Sequence, residues 1–165
     1  MMADRAFNVL FLCTHNSARS IMAEVILNYI GRGKFKGYSA GSQPATAPNP
    51  VALATLQRMH FPIDGLRSKD WTEFGDPAAP AMDFVLTVCD NAAGEVCPVW
   101  PGQPITAHWG VEDPSQFQGT DAEKAREFAR VAHILKRRIE LFVSVPLDKL
   151  DRIKLAQRVS DLGKR

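Results

Sequence analysis

Apolar residues fall along the chain in two alternating rhythms. Short runs at 8–12, 35–40, 84–88 and 105–109 read as strands. Those at 9–12 and 84–88 are almost continuously apolar, as a parallel strand buried on both faces requires. Between the runs, apolar positions return every three or four residues. Residues 19–30 place Met22, Ile26 and Tyr29 at helical spacing, and Gly31 and Gly33 supply a stop. Pro50, suited to a first helical turn because it lacks an N–H, introduces a helix over 51–60 with Val51, Ala54, Leu56 and Met59 apolar. Thr120 and Glu123 have the spacing of a capping box. The helix they open is the longest, with Ala125, Phe128, Ala132, Leu135, Ile139 and Phe142 on one face.

Strands alternating with helices predict an α/β fold, a three-layer open parallel four-stranded sheet with helices on both faces. Residues 1–145 form that domain. Pro146 interrupts the pattern, and 146–165 form a C-terminal helical extension with Leu147, Leu150, Ile153, Val159 and Leu162 apolar. The stripe serves either an extra helix packed on the body or a homodimer surface, and the pattern is the same for both. No internal repeat or low-complexity tract interrupts the chain.

In an open parallel sheet the ligand sits beyond the C-terminal ends of the strands, which directs attention to Cys13. It closes the first apolar run, and Arg19 follows after five intervening residues, just where helix-compatible sequence begins. A loop between a buried strand and a helix N-terminus gathers backbone N–H groups and the helix's positive end around one point. A cysteine there becomes a thiolate near neutral pH. A guanidinium beside it grips two oxygens of a tetrahedral anion at once. Thr14, His15, Asn16, Ser17 and Ala18 complete the oxyanion cradle, and Ser20 is placed to donate a hydrogen bond that favours the thiolate. The plain alternative is a core cysteine ending a strand. The spacing to Arg19 and the strand–loop–helix context favour a nucleophile aimed at a phosphate-shaped substrate.

Composition narrows the classes. With 165 residues, 45% hydrophobic and a formal net charge of +2, the chain supports one sizeable core and gives no reason to expect a nucleic-acid partner. Lys136, Arg137 and Arg138 read as a solvated helix face. The run at 9–12 is far too short to span a membrane, and no signal-peptide apolar region opens the chain. Three cysteines, an odd number, do not make a disulfide framework, so a cytoplasmic location is expected.

Cys13-Thr14-His15-Asn16-Ser17-Ala18-Arg19-Ser20 resembles the loop shared by low-molecular-weight protein tyrosine phosphatases and the arsenate reductases built on the same fold. The resemblance continues through Ser39-Ala40-Gly41 to His108-Trp109-Gly110-Val111-Glu112-Asp113-Pro114 and covers about residues 7–143. Ala18 departs from it, since many relatives carry a second cysteine beside the arginine. The resemblance implies that Asp113 is the acid that protonates a departing oxygen, with Glu112 a weaker candidate. It also implies a redox role for Cys89 and Cys97, because thioredoxin-linked arsenate reductases carry a cysteine pair in this region. The segment between these two is polar, with Ala92, Ala93 and Gly94, and is expected to move.

Two unrelated cysteines are one alternative. A zinc site is another, disfavoured by the seven-residue gap and the lack of an apparent fourth ligand. The leading expectation is reduction of arsenate to arsenite. Thioredoxin, or glutathione with glutaredoxin, would be the reductant, and no cofactor is needed. A phosphatase working through Cys13, Arg19 and Asp113 alone is the alternative. It is weakened by Ser115 and Gln116, which stand where the phosphatases usually carry aromatic residues. A non-catalytic arsenite-binding module would need neither Arg19 nor Asp113. In some relatives the positions of Asn16, Glu24, Ser39 and Asp64 hold a potassium ion, although Glu24 alone reads as an ordinary surface residue.

Overall fold

The computed structural model describes residues 6–88 and 103–164. In chain order the elements are β1 (Phe7–Cys13), α1 (Arg19–Ile30), β2 (Phe35–Gly41), α2 (Pro50–Arg58), β3 (Phe84–Thr87), β4 (Ile105–His108), α3 (Asp121–Val143) and α4 (Arg152–Leu162). Among the described residues, the 3-10 turns Trp71–Phe74 and Pro114–Gln116 lie in the connections. The sheet runs β2-β1-β3-β4 with every pairing parallel. Cys13 pairs with Gly41, Leu12 with Thr87, and Thr87 with His108, so the C-terminal ends of all four strands form one edge.

Alternation along the central strand divides the core in two. Val9 and Phe11 join Phe84 and Leu86 on one face, whereas Leu10 and Leu12 join Val85 and Ala40 on the other. The first face carries the larger cluster, to which α1 gives Met22 and Ile26, α2 Leu56, α3 Phe128, Leu135 and Phe142, and α4 Leu155 and Val159. The second face is closed by the 3-10 turn through Trp71 and Phe74, together with Met82. The fold is thus the expected α/β sheet, and among the described residues the 3-10 turn Trp71–Phe74 is the helical cover on its second side.

Helix starts follow the sequence chemistry. Thr120 and Glu123 form the full capping box of α3, and Asn49 caps α2 ahead of Pro50. In two helices the buried face differs from the expected one. Helix α1 packs against both the sheet and α3, so Ile21, Ala23, Val25 and Leu27 are buried along with Met22 and Ile26. Tyr29 is instead 43% exposed and meets Phe61 edge-on. In α4 the inward face is Leu155, Val159 and Leu162, and Ile153 is 83% exposed. Two residues at about 100° each put Ile153 on the side of the helix opposite Leu155.

Helix α4 packs beside the edge strand β4. Its Val159 carbonyl, one of the last four without a partner inside the helix, accepts the Trp109 indole N–H at 2.9 Å. A Cβ at Gly163 would fall 2.2 Å from the His108 carbonyl oxygen, so only glycine permits this approach. Among the described residues, no helix is long and apolar enough to cross a membrane.

Candidate active site

Cys13 ends β1 with 2% of its surface exposed. The loop that follows turns at Asn16, whose φ of 47° lies in the left-handed region that asparagine tolerates better than most residues. Four successive carbonyls of this loop are held from outside. Thr14 accepts from the Gln43 N–H at 2.8 Å, His15 from the Ala45 N–H at 2.9 Å, and Ser17 from the Asn49 N–H at 2.8 Å. The Asn16 carbonyl accepts the Ser68 hydroxyl at 2.6 Å. In a planar trans peptide the carbonyl and the next N–H point in opposite directions. Carbonyls turned outward at 14–17 therefore turn the N–H groups of 15–18 inward. Ala18, at the N-cap of α1, makes no side-chain cap, so the first amides of that helix are left for a ligand. Together these amides make an anion nest.

Gly41 lets the loop lie this close to the sheet. A Cβ there would stand 2.5 Å from the Thr14 carbonyl oxygen and 2.8 Å from that of Cys13.

The thiol has a directed partner. The Asn16 side-chain amide donates to the Ser20 Oγ at 2.8 Å, which frees the Ser20 hydroxyl proton for the Cys13 Sγ, also 2.8 Å away. That orientation favours the thiolate. Asn16 is gripped in turn, since its Oδ1 accepts from the Lys69 backbone N–H at 2.9 Å.

Arg19 and Asp113 come together from distant parts of the sequence. Arg19 Nη1 donates to the Val111 carbonyl at 3.1 Å, and its Nη2 lies 3.4 Å from Asp113 Oδ2, with both side chains largely shielded. The other Asp113 oxygen caps the 3-10 turn, accepting the Ser115 N–H at 3.0 Å and its hydroxyl at 2.7 Å. The loop carrying Asp113 is braced from below. Buried Arg138 donates to the carbonyls of Trp109 at 2.9 Å and Gly110 at 3.2 Å. The Val111 N–H donates to the Val88 carbonyl at 3.1 Å. Arg138, read from sequence as part of a solvated face, is instead a buried brace, and burial pulls its guanidinium below the usual value.

Cys13, Thr14, Asn16, Ser17, Ala18, Arg19, Ser20 and Asp113 thus gather at one edge of the sheet. His15 is exposed and turns its ring nitrogen to the Gln43 carbonyl at 3.0 Å. Cys89 and Cys97 lie outside the described residues; Val88, which precedes Cys89, donates its N–H to the Leu12 carbonyl at 2.8 Å on this same edge. Asn16, Glu24 and Ser39 converge, but on the ammonium of Lys69. Asp64 shares with Glu24 a groove of about 330 Å³ lined also by Asn28, Tyr29 and Arg32. Lys69 and Ser68 were not singled out from the sequence, and Arg138 was placed on the wrong side of its helix. Each acts on residues 28 to 53 positions away, and nothing in its neighbours marks it.

A buried strand-end thiol under inward amides, flanked by an arginine and a carboxyl group, defines a cysteine-based oxyanion loop on a parallel α/β sheet. The chain belongs to the low molecular weight phosphotyrosine protein phosphatase family, whose sequence model matches residues 8–154. It is 36% identical over 135 residues to an arsenate reductase of Halalkalibacterium halodurans, a match covering 81% of this chain and 93% of that protein. A solved arsenate reductase in the phosphate binding state is similar with a TM-score of 0.65 at 27% identity, covering 84% of this chain and 97% of the other. The Corynebacterium glutamicum thioredoxin-dependent arsenate reductase gives 0.56 at 26% identity, over 84% of this chain and 64% of that one.

Proposed function

We propose that this protein reduces arsenate to arsenite, with Cys13 as the nucleophile and a dithiol protein of the thioredoxin type as reductant. One observation carries the reading: the Cys13 thiol, with Ser20 at 2.8 Å and a cradle of inward amides, in a chain 36% identical to an arsenate reductase. Arsenate enters the loop with its oxygens on the amides and on Arg19. The Cys13 thiolate attacks arsenic, and an As–O bond breaks. Asp113, in its protonated form, gives its proton to the departing oxygen, which leaves as water. The Asp113 Oδ2 faces Arg19 at 3.4 Å, so acid and anion clamp address the same space.

Cys89 then attacks the Cys13 sulfur. The S–As bond breaks with its electron pair passing to arsenic, which leaves as arsenite, and a Cys13–Cys89 disulfide forms. Cys97 attacks the Cys89 sulfur, frees Cys13 as a thiolate, and leaves a Cys89–Cys97 disulfide for the external dithiol to reduce.

The phosphatase reading shares the first half of this scheme. The groove of about 330 Å³ beside Asp113 is lined by Glu112, Gln116, Phe117 and Glu127. Its carboxylates disfavour an anionic phosphopeptide, and slow hydrolysis of a small aryl phosphate is the expected remnant. The test is arsenate-dependent oxidation of reduced thioredoxin by the purified protein, run beside a glutathione–glutaredoxin mixture. Oxidation is expected with thioredoxin. Brisk phosphatase turnover with no arsenate-dependent thiol oxidation in either mixture would overturn the proposal.

A further inference from the structure

Against Asn16 of the oxyanion loop sits a lysine ammonium in a cage of oxygens. Lys69 Nζ lies 2.9 Å from the Arg67 carbonyl, 3.4 Å from Asn16 Oδ1, 3.4 Å from Ser39 Oγ and 3.8 Å from Glu24 Oε1. Ser39 also donates to Glu24 Oε1 at 2.5 Å. The Lys69 and Glu24 side chains are both mostly buried. Burial raises Glu24 above its ordinary carboxyl range and lowers Lys69 below its ordinary ammonium range, while their mutual attraction opposes each change.

The potassium ion that the resemblance suggests does not fit here. Three of the four residues expected to hold it already surround a positive charge. A second cation among the same oxygens would lie within about 4 Å of the first, where like charges repel strongly in a shielded site. We infer that Lys69 is a positioning residue: its ammonium is the loop's built-in cation, holding Asn16 so that Ser20 faces the Cys13 thiolate.

The path is continuous. Lys69 holds Asn16 Oδ1 with its backbone N–H and its ammonium. The other end of the Asn16 amide donates to Ser20, and Ser20 meets the thiol. The Asn16 backbone is at φ 47°, a conformation that needs outside support. Removing the ammonium would release one side of Asn16 and strand the Glu24 carboxylate. It would also leave a carboxylate, a hydroxyl, an amide oxygen and a backbone carbonyl around one vacated point. Such an all-oxygen set suits a hard monovalent cation.

This inference rests on reading Cys13 as the nucleophile, so its test follows the thiol directly. The rate of Cys13 alkylation by iodoacetamide is measured against pH in a Cys89→Ser/Cys97→Ser background, in potassium chloride and in tetramethylammonium chloride at equal ionic strength. With Lys69 intact, alkylation should be fast at pH 7 and indifferent to the choice of cation. Lys69→Ala should move the midpoint upward and slow alkylation at pH 7 by about fivefold. Potassium should restore most of that loss, and tetramethylammonium none of it. Adding Glu24→Gln to Lys69→Ala should abolish the rescue, because the carboxylate is gone.

A low midpoint with Lys69 present that Lys69→Ala does not move would overturn the inference and leave the nucleophile reading standing. A free-cysteine midpoint in both proteins would overturn both. Should Lys69→Ala fail to fold, the protein with Lys69 intact still decides: potassium-dependent alkylation in it would mean that the ammonium does not occupy the cation's place.

Discussion

Arg19 does two jobs with one planar group, bracing the Val111 carbonyl through Nη1 and facing Asp113 through Nη2. A lysine retains the charge but offers neither the second arm nor the plane. Arg19→Lys should therefore lower kcat/KM for arsenate by about 100-fold, the cost of losing one directed donor to a developing oxyanion. Near-normal steady-state kinetics in that variant would mean the anion is held elsewhere. Ser20→Ala tests the neighbouring contact. It removes the donor to Cys13 and the acceptor of Asn16 Nδ2, so the pH midpoint of Cys13 alkylation should rise while the circular dichroism spectrum stays unchanged. Stability should fall by about 1 kcal/mol in a urea titration. An unmoved midpoint would remove Ser20 from the thiolate's support. Cys13, Arg19 and Ser20 were legible in the sequence because one short loop carries them at fixed spacing. Lys69 was not. Its meaning comes from Asn16, Glu24, Ser39 and the Arg67 carbonyl, which only folding brings to one point.

At the level of elements, the strands and helix caps could be read because they depend on neighbours in sequence. Val9 to Leu12 and Phe84 to Leu86 are buried on both faces, as continuous apolar runs imply. Thr120 and Glu123 cap α3 as their spacing required. What the pattern missed depends on packing partners. Ile153 belongs to an apolar stripe on paper yet faces outward, because β4 takes the face carrying Leu155 and Val159. The same packing ties α4 to the loop bearing Asp113 through the Trp109 indole and the Val159 carbonyl, a contact between residues 50 positions apart. Trp109→Phe keeps most of the buried ring and deletes only that donor. It should cost about 1–3 kcal/mol of stability, because a buried carbonyl loses its partner. It should also lower kcat for arsenate several-fold while KM stays within about twofold, since the amides and Arg19 proposed to bind the anion are untouched whereas the loop of the proposed acid Asp113 is loosened. A change confined to KM would show that the brace serves binding and not proton delivery.

On the scale of the whole molecule, the proposed reaction requires a cycle and not only a site. One thiol suffices to attack arsenate, but arsenic takes two electrons from the protein's thiols and a reductant must return them before the next turnover, and Cys89 and Cys97 are the other thiols in the chain. A disulfide needs Cα atoms within about 7 Å, so each exchange demands that a new pair of sulfurs meet. The two cysteines therefore carry separable duties. Cys97→Ser should permit a single round: one equivalent of arsenite per protein appears in a rapid-quench experiment, and thioredoxin-driven turnover then stops with the Cys13–Cys89 disulfide trapped. Cys89→Ser should release no arsenite, yet should hydrolyse an aryl phosphate at close to the parent rate, because that reaction uses only Cys13, Arg19 and Asp113. Arsenate stoichiometry and phosphatase rate, measured on the same two variants, separate the reductase from the phosphatase. If both serine variants reduced arsenate through many cycles at the parent rate, the relay would be wrong. The second thiol would then have to come from a small molecule such as glutathione, acting on an arsenic–sulfur bond held in the same loop.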